Sequence, residues 1–178
     1  VLSYIAAADY GLRIDKWGFG HFAAPRGGAT RRHTGVDLLY DVGQSLLSPC
    51  AGDAYIESDQ RAGNIFGISV DLVCPFEFPN LHNPKTYWLS WRFAHLNSAF
   101  GQPGQMGRAS KGAVLARVGT TGNASAPELK SHVHLEVSVH NSKSSAAGYN
   151  HPLADGNSTE LTRSFISELT ASCLSRIG

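Results

Sequence analysis

Apolar and polar residues alternate strictly along His132-Val133-His134-Leu135-Glu136-Val137. That alternation predicts a β-strand with two unlike faces. Successive strand side chains point to opposite sides, so His132, His134 and Glu136 share one face and Val133 and Leu135 the other. Similar alternation, with β-branched and aromatic residues, predicts strands over residues 36–40, 65–73 and 86–94, and a short one over 113–118. Residues 45–51, interrupted by Pro49, and 54–57 read as further extended pieces, with a hairpin-like turn at Gly52-Asp53. Residues 75–84 hold three prolines and two asparagines and read as a long surface loop rather than a central strand. Residues 58–64, 97–111 and 119–127 read as polar or glycine-rich connections. Residues 13–32, with Trp17, Gly18, Gly20, Pro25, Gly27, Gly28 and several arginines, read as a loop that forms one wall of a cleft. Helical spacing is confined to Leu161, Phe165, Ile166, Leu169 and Cys173, after an N-cap at Ser158 or Thr159. It predicts an amphipathic packing helix over about residues 158–176.

The picture is of one mainly β domain spanning 1–178, with 19 glycines serving its turns. A net charge of +1 gives no electrostatic case for nucleic acid or an anionic membrane surface. No apolar run is long enough to span a bilayer as a helix. The chain opens without Met or an apolar leader, so any export signal is expected to have been removed or to lie outside these residues. Cys50, Cys74 and Cys173 leave open one disulfide with a free thiol or three reduced thiols.

The chemistry-bearing residues are histidines. Neutral imidazole is a common metal ligand and the usual general base near pH 7. His132 and His134 are therefore either a functional pair or a polar strand face that carries two histidines. A second cluster, His33-Thr34-Gly35-Val36-Asp37, would put His33, Gly35 and Asp37 on one face if extended. Gly35 leaves room between the two larger side chains, which suits a close approach by an ion or another chain. His, Asp and a second His suit Zn²⁺, and catalytic zinc sites commonly have three protein ligands and one open position. His21, His82, His140 and His151 fall in loops or at strand ends and read as solvated, His21 being the one nearest the first cluster. Glu136 either orients a ligand imidazole or is solvated. No local motif supports Cys50 as a nucleophile, and no Gly-x-Ser-x-Gly is present.

With His33-x-x-x-Asp37, Phe93-Ala94-His95-Leu96 and His132-x-His134 in that order, the chain resembles the zinc endopeptidases of the lysostaphin and LytM type. Pro49-Cys50-Ala51-Gly52 and Gly119-Thr120-Thr121-Gly122 add to the likeness, which covers roughly residues 10 to 140. The resemblance implies a compact, sandwich-like antiparallel β-fold, the duplicated hybrid motif, with a groove over the sheet. It implies one zinc ion on His33, Asp37 and His134, with His95 and His132 as catalytic, non-ligand histidines. It further implies hydrolysis of bacterial peptidoglycan stem or cross-bridge peptides by zinc-activated water, outside the cytoplasm. A D-Ala to diaminopimelate cross-link is favoured over a glycine bridge, and an inhibitory pro-segment or regulatory protein is compatible with the family. The alternative is a non-catalytic binding module that regulates other wall hydrolases; here every ligand position is filled. Phe93 stands where the family usually has Tyr, Leu135 where an aromatic is common, and the segment before Trp91 is longer and richer in proline.

Overall fold

The structure is a computed structural model and describes residues 11–58, 64–77, 86–101, 106–140 and 143. Four two-residue strands come first: Ile14–Asp15 (β1), Gly18–Phe19 (β2), Pro25–Arg26 (β3) and Arg31–Arg32 (β4). Longer ones follow: Val36–Leu39 (β5), Ser45–Leu47 (β6), Gly52–Ser58 (β7), Ile68–Glu77 (β8), Thr86–Ala99 (β9), Met106–Ala109 (β10), Val114–Val118 (β11) and His132–His140 (β12). A 3-10 turn, Gly122–Ser125, precedes β12.

β9 organises the main sheet. One of its edges pairs with β8, which leads on through β7 to β10. Along the other edge, Trp88 to Ala94 pair with β12, and Leu96 to Ala99 pair with β11. β5 closes on the far side of β12, and β6 on the far side of β11. Every pairing is antiparallel. The mainly β, antiparallel expectation therefore holds.

The alternation read from the sequence sorts the two faces. Val133, Leu135, Val137 and Val139 of β12 join Leu89, Trp91 and Phe93 of β9 and Val70, Leu72 and Cys74 of β8 in one apolar core. Trp91 and Phe93 stack with ring centroids 6.4 Å apart. Complete burial of a side chain of this size contributes about 1.5–3 kcal/mol. The opposite face is polar yet also buried: Asp71, Arg92, His132, His134, Glu136 and Ser138. Arg92 binds both carboxylate oxygens of Asp71, at 2.8 and 2.7 Å.

Several boundaries differ from expectation. Gly52 and Asp53 lie in β7 rather than a turn, because long-range pairing outweighs their turn propensity. β8 continues through Pro75 to Glu77, where a loop was expected. Its pairing with β7 ends at Val73, so Pro75 sits where β8 has a single neighbour and its missing N–H breaks no second ladder. β8 begins at Ile68, leaving Ile65 and Phe66 outside it. β9 runs past His95 to Ala99, and β10 occupies part of the expected 97–111 connection. The loop over 13–32 contains the two small ribbons β1–β2 and β3–β4. Cys50 and Cys74 form a disulfide, which settles that pairing. Closing a loop of this length contributes roughly 3 kcal/mol in the chain-entropy account. The expected helix over 158–176, Cys173, His82 and His151 lie outside the described residues.

Candidate metal centre

Strand register builds the centre. On β12, His134 stands opposite Asp37 of β5 and opposite Ala94 of β9, so the residue after Ala94, His95, comes to the same place. His132 lies two residues along the same face of β12. His33 comes from the segment between β4 and β5, where its N–H donates to the Ala24 carbonyl at 2.8 Å. That segment runs so close to β12 that a Cβ on Gly35 would lie 2.3 Å from the Leu135 carbonyl oxygen. The room that Gly35 leaves is thus taken by the neighbouring strand.

Three donor atoms converge. His33 Nε2 and His134 Nδ1 are 3.0 Å apart, His134 Nδ1 and Asp37 Oδ1 are 2.9 Å apart, and His33 Nε2 and Asp37 Oδ1 are 3.1 Å apart. Ligands at about 2.0–2.2 Å around a tetrahedral zinc ion are themselves separated by roughly 3.3 Å. Three lone-pair donors this close repel one another unless a proton or cation lies among them. Donor set and spacing both fit Zn²⁺.

The second nitrogen of each imidazole is fixed by an acceptor. His33 Nδ1–H donates to the His21 carbonyl at 2.9 Å. His134 Nε2–H donates to Glu136 Oε1 at 3.0 Å. His132 Nδ1–H donates to the Lys130 carbonyl at 2.7 Å, and His95 Nδ1–H to the Thr121 carbonyl at 3.0 Å. A carbonyl or carboxylate can only accept here, so in each ring, when neutral, the remaining nitrogen is the one that carries the lone pair. Nε2 of His132 lies 3.9 Å from Asp37 Oδ1, and the His95 and His132 rings meet edge to face at 5.0 Å.

Asp37 divides its oxygens. Oδ1 faces the histidines, while Oδ2 accepts from Arg13 Nε and Nη2 at 3.1 and 2.9 Å and from Arg26 Nη2 at 3.2 Å. Burial would raise the Asp37 pKa, but hydrogen bonds from His134 and His33 outweigh it and hold the carboxyl well below its ordinary value. Burial lowers His33 and His132. Burial, then the neighbouring His132 and His134, push His95 down to about 3. Burial opposes charge on His134 too, but bonds to Asp37 and Glu136 prevail and raise it to about 9.

His95 has an unusual backbone. Its φ is +64°, in the left-handed region that non-glycine residues seldom adopt. The cause is a bulge: Leu96 pairs with Ile68 and Phe93 with Val70, leaving Ala94 and His95 against one residue of β8. The bulge also marks where β9 changes partner from β12 to β11. His95 N–H donates to the Phe66 carbonyl at 2.9 Å, and its carbonyl accepts from Gly119 N–H at 3.0 Å. Thr121 ties the same region together, its hydroxyl donating to the Leu96 carbonyl at 2.8 Å and accepting from Ile68 N–H at 2.9 Å.

The structure brings His33, Asp37, His95, His132 and His134 together, all buried. Glu136 is buried beneath His134 and also accepts from the Thr34 hydroxyl, so it is not solvated. It stands across from Arg92, which in turn stands across from Asp71. His21 contributes its carbonyl and not its ring. Arg13 and Arg26 were missed by sequence reasoning. Their one signal was arginine content in a loop next to the first cluster. A cleft of about 970 Å³ opens over the centre, with residues of the 13–32 segment in its lining, as expected.

No protein-family model matches the chain, and no curated protein matches it. Solved structures do. The catalytic domain of the antimicrobial peptidase lysostaphin from Staphylococcus simulans aligns with a TM-score of 0.50 at 18% identity, over 85% of this chain and 94% of that one. A solution structure of lysostaphin aligns with a TM-score of 0.51 at 17% identity, over 90% of this chain and 51% of that one. The chain has the lysostaphin-type fold.

Proposed function

We propose that the protein is a zinc-dependent endopeptidase that hydrolyses peptide cross-links of bacterial peptidoglycan. One observation carries this reading: His33 Nε2, Asp37 Oδ1 and His134 Nδ1 converge to about 3 Å beneath a cleft, with two more histidines beside them. His33, Asp37 and His134 would hold the ion. When bound, zinc supplies Lewis acidity, making water acidic near neutral pH and polarising a carbonyl.

The chain's own residues do the rest. Arg13 and Arg26 fix Asp37 through Oδ2 and leave Oδ1 for the metal. Glu136 keeps Nδ1 of His134 turned to the centre. His132 and His95, with Nδ1–H committed to carbonyls, offer Nε2 as a base for the proton lost by attacking water. Either ring, once protonated, can donate to the developing oxyanion or to the leaving amine.

The lysostaphin structures of the same fold belong to an antimicrobial peptidase, which supports a peptide substrate. The D-Ala to diaminopimelate bond is favoured over a glycine bridge. The Cys50–Cys74 disulfide suits an oxidising, extracytoplasmic setting. Among the described residues no helix is long and apolar enough to cross a membrane.

The test is digestion of purified sacculi of defined chemistry by zinc-loaded protein and by a chelated control, with mass analysis of fragments. Zinc-dependent loss of cross-linked dimers is expected, and the fragment masses name the bond. Intact sacculi of every wall type, with zinc bound and the fold retained, would overturn the reading.

A further inference from the structure

The cleft is far more basic than the chain. The whole sequence carries a net charge of +1. Among the described residues the cleft lining holds Arg13, Arg26, Arg31 and Arg32 and one acidic side chain, Asp37. Arg13 and Arg26 are committed, since both bind Asp37 Oδ2 and Arg13 also binds Asp15. Arg31 and Arg32 are exposed, and neither pairs with an acid among the described residues.

Their placement is specific. They form β4, paired to β3 with Arg31 opposite Arg26 and Arg32 opposite Pro25. The turn between the strands is closed by the Thr30 hydroxyl, which donates to the Gly27 carbonyl at 2.7 Å. Arg26 anchors the ribbon from beneath through the Phe19 carbonyl, at 2.7 Å. Arg32 adjoins His33, so a single Cα step of about 3.8 Å separates it from a candidate zinc ligand. The lining also holds the apolar Ile65, Phe66, Ala126 and Leu129, beside Thr34, Asn123 and the histidines of the centre.

Each of these two guanidinium groups, unpaired with an acid among the described residues and lining the same cleft, gains from an anion bound there. Their planar donors match a carboxylate with two parallel hydrogen bonds. A cleft with low-dielectric walls strengthens that attraction. A neutral glycine bridge offers these groups nothing. We propose that Arg31 and Arg32 form a carboxylate-binding subsite, so that the cleft selects cross-linked stem peptides bearing a free carboxylate near the scissile bond. This rests on the peptidase reading and gives it a substrate class.

Two probes test it: a cross-linked stem-peptide dimer with free carboxylates, and the same dimer with those carboxylates amidated. The measured quantity is kcat/KM for each, using zinc-loaded wild type and the Arg31→Gln/Arg32→Gln variant, with zinc content and circular dichroism as fold controls. Wild type is expected to favour the free-carboxylate dimer by roughly tenfold or more, an advantage that shrinks with added salt. In the variant the ratio is expected to fall to about one. Equal kcat/KM for both dimers in wild type, or a ratio unchanged in the variant, overturns the subsite. Cleavage of neither dimer by wild type counts against the peptidase reading, and the subsite is then judged by fluorescence anisotropy of labelled dimers. Tighter binding of the free-carboxylate dimer that vanishes in the variant supports the subsite, and equal binding overturns it.

Discussion

Glu136 accepts the Nε2–H of His134 at 3.0 Å, and that bond decides which nitrogen of His134 faces Asp37. The carboxylate is buried across from Arg92, so it has little freedom to turn away. Glu136→Ala should lower zinc affinity roughly 10–100-fold, the usual effect of losing such a partner of a ligand histidine. Competition with a chromophoric chelator measures it. Wild-type affinity in a folded variant would remove Glu136 from the centre's design.

On the proposed zinc reading, the metal and a proton compete for His134 Nδ1. The raised pKa, about 9 without metal, means that this ring holds a proton at neutral pH that zinc must displace. His33 and Asp37 are both lowered and do not compete there. Zinc affinity should rise about tenfold per pH unit from pH 7 towards pH 9 and then level off. Calorimetry in buffers of different ionisation enthalpy should detect the released proton, and a pH-independent affinity over that range contradicts the assignment.

His134 and Asp37 also make the stability of the metal-free protein depend on pH. The folded pKa of His134 is raised above the ordinary value of 6.5, so its contribution is complete below pH 6.5 and lost as pH rises through about 9. A shift of this size corresponds to about 3 kcal/mol. The folded pKa of Asp37 is depressed, so its contribution is present above the unfolded value, 3.8, and lost as pH falls through the lower folded one. Urea unfolding of chelated protein should therefore show lower stability at pH 9.5 than at pH 6. Stability equal at both would argue against a charged His134.

Ligand and non-ligand histidines should separate cleanly. His134→Ala is expected to abolish stoichiometric zinc binding. His132→Ala is expected to retain zinc and to lower turnover roughly 10²–10⁴-fold. Metal analysis alongside a cross-linked peptide assay distinguishes the two, and full turnover in His132→Ala excludes it as acid or base.

Gly35→Ala tests the packing that delivers His33. The new Cβ would lie 2.3 Å from the Leu135 carbonyl oxygen, which is strand backbone and cannot yield locally. The segment from His33 to Gly35 must lift from β12, at a cost of about 1–3 kcal/mol. Reduced thermal stability together with weakened zinc binding is expected, and a variant that matches wild type in both rejects the contact.

Much of the centre was legible because strand pairing follows alternation. The pattern in 132–137 put His132, His134 and Glu136 on one face, and β12 keeps that order. Position in the chain could not show that residues 11–13 run along the free edge of β5, where Arg13 N–H meets the Asp37 carbonyl at 2.9 Å. Arg13 reaches Asp37 only through that tertiary contact, and Arg26 only through the β3–β4 ribbon. Pro75 and Gly52-Asp53 misled for a related reason. Each looks like a strand breaker locally, and each is held extended by a neighbour distant in sequence. His95 was placed by resemblance alone, since no local pattern announces a left-handed residue inside a fourteen-residue strand.

That left-handed residue carries an evolutionary consequence. Holding a side chain at φ +64° costs of order 1–3 kcal/mol, which glycine would largely avoid. Selection for stability alone would therefore drift position 95 towards glycine or asparagine, and only a need for the imidazole opposes that drift. On the proposed peptidase reading, the residue at this single bulge should sort homologous chains that cut peptides from those that serve as scaffolds.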